Sequence, residues 1–209
     1  MKRLTKVEPP EILVRQAVTW TAAFLASQGK TAPWSHEDIK AALIVETAGK
    51  CAYCEARMLA VSFGDIEHIY PKSKFPERVV AWDNLTLACP RCNQRKSSKY
   101  QEGSEFINPY VDDPAEHLFF LGPMVYELTD RGMYTIGELG LNDMSRVEAR
   151  IRAIDNVVNL VARFKGAAEG YKKSMLGKLI DTVLEDGEYT AAVSTYVSAA
   201  MQPTPADCE

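Results

Sequence analysis

The feature that most constrains this sequence is a pair of Cys-x-x-Cys motifs. Cys51 and Cys54 form the first motif and Cys89 and Cys92 the second, with 34 residues between them. Two such motifs can present four thiolates to one tetrahedral Zn²⁺ ion. Zinc binding contributes about 10–16 kcal/mol in small peptides, which is comparable to the net stability of a whole domain. We therefore interpret the four cysteines as a structural zinc site; the alternative is buried or redox-active thiols.

The composition is that of a globular protein. Of the 209 residues, 46% are apolar and 25% are charged. No apolar run approaches the roughly 18 residues that a membrane span needs, and the first residues do not form a secretory signal. We therefore expect a soluble, cytoplasmic protein without a membrane partner.

The charge is divided unevenly along the chain. Residues 1–100 carry 15 Lys and Arg against 10 Asp and Glu, whereas residues 101–209 carry 9 against 18. The basic excess is concentrated between positions 68 and 100, in Lys72, Lys74, Arg78, Arg91, Arg95, Lys96 and Lys99. A basic segment in an acidic chain indicates a polyanion site. On charge alone, a solvated surface is the simpler interpretation.

Two helices are predicted at the N-terminus. The first follows Pro9-Pro10 and is ended by Gly29, because apolar residues recur between them at helical spacing. The second begins with Ser35 as its N-cap and ends near Gly49.

The second half of the chain is predicted to contain a β-hairpin and then helices. Residues 124–128 and 133–136 read as two strands joined by a turn through residues 130–132. From Asn142 onward the apolar residues follow a helical period. Three glycines mark the expected breaks between these helices: Gly166, Gly170 and Gly187.

The segment between the two cysteine pairs carries residues suited to metal-assisted catalysis. Glu67 and His68 are adjacent, and Pro71 interrupts the strand that holds them. In such a pair the carboxylate can bind a metal ion while the imidazole accepts or donates a proton. Asn93 offers a second oxygen ligand, and this pair suits Mg²⁺ or Mn²⁺. Asp65, on the same strand face as Glu67, can replace or join it at the metal.

The order of these motifs resembles the HNH endonucleases, which have a ββα-metal fold, here with a four-cysteine zinc brace. The order is a cysteine pair, acid-His-aliphatic-x-Pro, Asn-Leu, a second cysteine pair, Asn and Lys, and it covers residue 51 to about residue 100. The resemblance implies an α+β fold, with this core inside a mainly α-helical chain. We expect N-terminal helices in 1–50, the nuclease core in 51–104, and the hairpin with the C-terminal helices in 105–209.

The resemblance also implies a role for each residue of the motif. His68 matches the general base that activates water, and Glu67 matches the acidic metal ligand, where Asp is commoner. Asn84 matches the residue that holds the motif's loop and helps to orient the histidine. Asn93 stands where many members have His and would be the second metal ligand. Whether Asp65 or Glu67 is the main acidic ligand stays open.

The implied reaction is hydrolysis of a DNA phosphodiester bond. The expected phosphate contacts are Arg91, Arg95, Lys96 and Lys99. Two alternatives remain: a stand-alone nuclease that cuts modified DNA or RNA, and a zinc-braced nucleic-acid-binding module without catalysis. His36 and His117 are predicted to lie outside the catalytic site.

The flanking segments narrow the resemblance. Residues 1–10, 106–114 and 135–142 resemble the bacterial HNH proteins encoded beside an ATPase in anti-phage systems, such as Septu and retron-associated nucleases. This resemblance implies a nuclease effector with an ATPase partner. The acidic second half would then dock the ATPase; the alternative is a helical cover over the nuclease core.

Overall fold

The protein is described by a computed structural model, which covers residues 1–58 and 64–202. It combines helices with two small antiparallel sheets, which confirms the expected α+β class. The helices are α1 (Glu11–Ala26), α2 (Glu37–Thr47), α3 (Pro90–Lys96), α4 (Asp130–Leu139), α5 (Met144–Lys165), α6 (Tyr171–Asp186) and α7 (Thr190–Met201). The strands are β1 (Asp65–His68), β2 (Leu85–Ala88), β3 (Leu118–Leu121) and β4 (Met124–Glu127). Cys208, which has no predicted role, lies outside the described residues.

Strands β1 and β2 and helix α3 form a ββα unit. The strands pair antiparallel, with Glu67 opposite Thr86 and His68 opposite Leu85. Every residue of β2 is buried, because α2 packs on the sheet through Ile39 and Leu43. This unit forms the centre of the first hydrophobic core.

The N-terminal helices are present as predicted, with one correction. Helix α1 follows Pro10, and the chain leaves it through Gly29 at a φ of 82°. The N-cap of α2 is His36, not Ser35: its Nδ1 accepts the Asp38 N–H at 3.2 Å. Ser35 instead ends a short 3₁₀ turn that Pro33 begins.

The predicted hairpin is only half right. Residues 124–127 form strand β4 as expected, but β4 pairs with the preceding strand β3 and not with residues 133–136. Residues 130–139 form helix α4. Thr129 caps this helix by accepting the Gly132 N–H at 3.1 Å, and Gly140 ends it at a φ of 61°.

The last three helices form a second hydrophobic core. Helix α5 packs against both α6 and α7, and the side chains between them include Val157, Ile180 and Val193. The three predicted breaks are confirmed, since the glycines flank the helices: Gly166 after α5, Gly170 before α6 and Gly187 after α6. None of the described helices is long and apolar enough to cross a membrane.

Glu55, the residue after the first cysteine pair, connects this part of the chain to α7. The Glu55 carboxylate accepts hydrogen bonds from Thr190 Oγ1 at 2.7 Å and from the Ala191 N–H at 3.1 Å, at the start of α7. The first core also extends past residue 104, through side chains such as Phe106 and Leu139. The three-part division of the chain stays a prediction.

Candidate metal and active site

The four cysteines converge on one point. Their Sγ atoms all lie within 4.8 Å of one another, and those of Cys54 and Cys89 are 3.9 Å apart. A tetrahedral zinc ion with Zn–S bonds of about 2.3 Å holds its sulfurs about 3.8 Å apart. Cys89 is also the N-cap of α3, where its Sγ accepts the Cys92 N–H. The donor set and its spacing therefore fit a structural zinc ion.

A buried arginine that the sequence analysis missed reaches this cluster. Arg146, near the start of α5, donates to Cys92 Sγ at 3.0 Å and to the carbonyl oxygens of Leu139 and Gly140. Arg146 is only 5% exposed to solvent. A guanidinium beside thiolates offsets their negative charge. No pattern around Arg146 distinguishes it from the other arginines of α5, so only the tertiary structure reveals this contact.

His68 ends strand β1 and is buried, with its ring edge-on to Trp34 at 4.8 Å between centroids. Its Nε2 lies 2.8 Å from the carbonyl oxygen of Val79. Because a carbonyl only accepts, Nε2 carries the hydrogen and Nδ1 keeps the lone pair. Burial lowers the pKa of His68 to about 4, although the bond to Val79 acts in the opposite direction. The imidazole is therefore neutral at pH 7.

Asn84 holds the loop that provides the Val79 carbonyl. Its Nδ2 donates to the carbonyl oxygens of Tyr70 and Arg78, at 3.1 and 3.0 Å, and its Oδ1 accepts the Tyr70 N–H at 2.7 Å. The side chain is fully buried. These bonds tie Tyr70 and Arg78, two points of the loop between β1 and β2, to one side chain.

An open cleft of about 570 Å³ lies beside His68. Asp65 and Asn93 share its wall, where Asn93 Nδ2 donates to Asp65 Oδ2 at 2.9 Å. Both side chains are partly exposed. The structure thus brings His68, Asp65, Glu67 and Asn93 to one cleft.

Glu67 is engaged with Lys96. Its Oε1 accepts from Lys96 Nζ at 2.7 Å, and the same ammonium donates to the His68 carbonyl oxygen at 2.6 Å. Burial raises the pKa of Glu67, while Lys96 opposes that shift. Lys96 was predicted to contact phosphate, and this prediction is wrong because its side chain is 0% exposed, with α3 packed on β1.

The other predicted phosphate contacts are paired with acidic side chains. Arg91 and Arg95 both reach Asp143 Oδ2, at 2.8 and 2.6 Å, and Lys99 reaches Glu138 at 2.5 Å. These three side chains are partly exposed. The pairs of Arg91 and Arg95 connect α3 to the N-cap of α5, and the pair of Lys99 connects the segment after α3 to α4.

The remaining histidines lie elsewhere. His36 caps α2, and its ring centroid lies 5.8 Å from that of Trp20. His117 Nδ1 lies 2.8 Å from Thr129 Oγ1, beside the start of α4. Neither lines the cleft.

The cleft can hold a second ion only with a mixed set of ligands. Among the described residues, the four cysteines are the only group of three or more His, Cys, Asp or Glu side chains close enough to share an ion. An ion in the cleft would rest on the Asp65 carboxylate, the Asn93 amide oxygen and water. Mg²⁺ and Mn²⁺ accept such an oxygen set and keep several waters, so these residues fit either ion.

Comparison with known proteins agrees with this geometry. Residues 51–99, which include the ββα unit and its four cysteines, match the family model of the HNH endonucleases. The wider chain is 32% identical over 148 residues to the Septu protein PtuB of Bacillus thuringiensis, a stretch that covers 70% of this chain and 57% of that protein. It is 26% identical over 157 residues to the Septu protein PtuB of Bacillus mycoides (strain KBAB4), covering 59% of this chain and 53% of that protein. The chain therefore spans little more than half the length of these relatives.

Proposed function

We propose that this protein is a divalent-metal-dependent endonuclease that hydrolyses DNA phosphodiester bonds. The observation that carries the proposal is the neutral imidazole of His68, with Nδ1 available, in one cleft with Asp65 and Asn93. Its support is the HNH match over residues 51–99.

In this mechanism His68 is the general base. Nδ1 accepts a proton from the attacking water, and the Val79 carbonyl holds the ring in the required tautomer. Because burial keeps the imidazole neutral, the base is ready across the physiological pH range. The Asn84 bonds keep this carbonyl in place.

We assign the main acidic ligand to Asp65 and not to Glu67. Asp65 is partly exposed and bonded to Asn93, whereas the Glu67 carboxylate is buried against Lys96. A Mg²⁺ or Mn²⁺ ion held by Asp65 and Asn93 would neutralise charge on the scissile phosphate and stabilise the leaving oxygen. Glu67 and Lys96 instead fix the end of β1, because Lys96 also holds the His68 carbonyl oxygen.

Plasmid cleavage tests the central chemistry. We expect cutting of supercoiled DNA with Mg²⁺ or Mn²⁺, none in excess chelator, and a loss of about 10²–10⁴-fold in His68→Ala with zinc content unchanged. His36→Asn is the matched control, because Asn is also a good N-cap and His36 lies outside the cleft. Asp65→Asn should raise the metal concentration needed more than Glu67→Gln does. Full activity of His68→Ala would contradict the mechanism, and equal cleavage of matched RNA would contradict the substrate.

We further propose that the protein is the nuclease effector of an anti-phage defence complex with an ATPase subunit. The similarity to Septu proteins supports this role, and the acidic excess of residues 101–209 suits a protein partner better than DNA. This role predicts that an ATPase is encoded beside this gene. Expressing the two proteins together should reduce phage plaque numbers and should allow them to be purified together. Protection that survives His68→Ala would contradict an effector role.

A further inference from the structure

The charges available to a polyanion do not lie where the sequence suggested. All four basic side chains predicted to bind phosphate make ion pairs with carboxylates: Arg91 and Arg95 with Asp143, Lys96 with Glu67, and Lys99 with Glu138. Helix α3 therefore presents little uncompensated positive charge.

Two lysines in the loop after β1 differ from these four basic side chains in having no acidic partner among the described residues. Neither Lys72 nor Lys74 is ion-paired with an acidic side chain in the described parts of the chain. Both are exposed. Arg78, further along the loop, is paired with Asp83 at 2.9 Å. The uncompensated charge of this loop therefore lies on Lys72 and Lys74.

Lys72 stands at the proposed catalytic cleft. It lines the cleft together with His68 and Asp65. Its Nζ lies 5.1 Å from the centroid of the Trp34 ring, and that ring is itself edge-on to His68. A cation over an indole face is held weakly and stays free to bind an anion. The positive charge of Lys72 also helps to lower the pKa of His68, which agrees with this proximity.

The side chain of Lys74 is held in place by contacts that do not neutralise its positive charge. Its Nζ donates to the carbonyl oxygen of Tyr100 at 3.0 Å and lies 5.9 Å from the centroid of that ring. A carbonyl fixes the position of an ammonium but leaves its net charge in place. Lys74 therefore offers a second, positioned charge two residues beyond Lys72.

We propose that the loop segment Lys72–Lys74 binds the DNA backbone, with Lys72 on a phosphate at the catalytic cleft and Lys74 on a neighbouring phosphate. This inference rests on the proposed nuclease function and names the residues that hold its substrate. Ammonium groups bind phosphates by charge, so this contact favours nucleic acid without selecting a sequence.

DNA binding measured against salt concentration tests the proposal. The parent is full-length His68→Ala protein with Mg²⁺, and the probe is a fluorescent 30-base-pair duplex followed by anisotropy. In this parent, Lys72→Ala/Lys74→Ala should weaken binding at least tenfold and make the slope of log K against log salt shallower by about 2. Arg91→Ala/Lys99→Ala removes two charges as well and is the matched control, with its slope expected to stay unchanged. Circular dichroism confirms that both variants are folded.

The possible outcomes separate this inference from the proposed function. An unchanged slope in the loop variant, an equal loss in the control variant, or no DNA binding by the parent would overturn the inference. If protein with His68 intact cuts plasmid and the loop variant cuts equally well at high salt, only the loop assignment fails. If no cleavage occurs but the slopes change as expected, the loop assignment stands and the nuclease proposal fails.

Discussion

At the scale of single residues, His68 shows how burial determines the charge of a side chain. The ring is 3% exposed and has one committed nitrogen, so it stays neutral where an exposed histidine would be partly charged. The same burial makes the residue a source of pH-dependent stability.

We predict that acid destabilises the fold through His68. Its pKa falls from 6.5 to about 4 on folding, so the unfolded chain binds more protons between these values. The unfolding free energy must therefore decrease as pH falls through this window, by about 2 kcal/mol between pH 7 and pH 5. Urea unfolding at the two pH values should show a smaller decrease in His68→Gln than in the wild type. Equal decreases would show that His68 is not the group responsible.

The sequence predicts some site residues better than others. The order of the motif predicts that His68 and Asn84 flank the loop between β1 and β2, and they lie there; their catalytic roles stay a prediction. The position of Lys96 could not be predicted, because a lysine at the end of a short helix usually faces solvent. The burial of Lys96 depends on the packing of α3 on β1 and on the Glu67 carboxylate, which accepts a hydrogen bond from its ammonium group. The pattern of charges along the sequence predicts neither this packing nor this ion pair.

At the scale of secondary structure, a glycine without a side chain allows helix α4 to pack closely against the β3–β4 hairpin. A Cβ at Gly132 would lie 2.2 Å from the His117 carbonyl oxygen, which is backbone and has little freedom to move. Gly137, in the same helix, has no atom within 4 Å of such a Cβ. One helix therefore contains a glycine that packing requires and one that it does not.

We predict opposite effects of alanine at these two positions. Gly132→Ala should destabilise the protein by more than about 1 kcal/mol, because the clash outweighs the gain in helix propensity. Gly137→Ala should stabilise it by about 0.5–1 kcal/mol, because propensity acts there alone. Chemical denaturation measures both changes. A stabilising Gly132→Ala would mean that α4 does not approach the hairpin this closely.

The error over residues 130–136 has a physical cause. Met133 to Ile136 contains residues that favour strands, and the Asp-Arg-Gly sequence before them looks like a turn. The capping residues decide otherwise: Thr129 accepts the Gly132 N–H, and Gly140 ends the helix in the left-handed region. Buried residues at positions 132, 135 and 139 follow a helical period. The capping residues on either side are the sequence signal that could have identified this helix.

At the scale of the whole molecule, the four-cysteine cluster is linked to the C-terminal helices. Glu55, next to Cys54, holds the start of α7, and Arg146 brings α5 to Cys92. The sequence places the cysteines, the two N-terminal helices and the helices after Asn142, although it misses α4. It does not show that the C-terminal helices contact the metal site, because those contacts join residues more than fifty positions apart.

We predict that Arg146→Ala weakens zinc retention. Mutation of a residue that hydrogen-bonds a metal ligand typically costs about 10–100-fold in metal affinity. Release of zinc to a chromophoric chelator, followed by absorbance, should be faster in Arg146→Ala than in the wild type. Arg152→Ala, an exposed substitution on the same helix, is the control. Equal release from the two variants would mean that α5 does not stabilise the site.

The Asn84 side chain gives the loop between β1 and β2 two separable parts. Its bonds to Tyr70 and Arg78 immobilise the ends that support the imidazole, while residues 72–74 between them stay exposed. Substitutions at the exposed middle of the loop should therefore leave the position of the His68 ring unchanged. This segment can then vary in charge without disturbing the buried residues at the loop's ends.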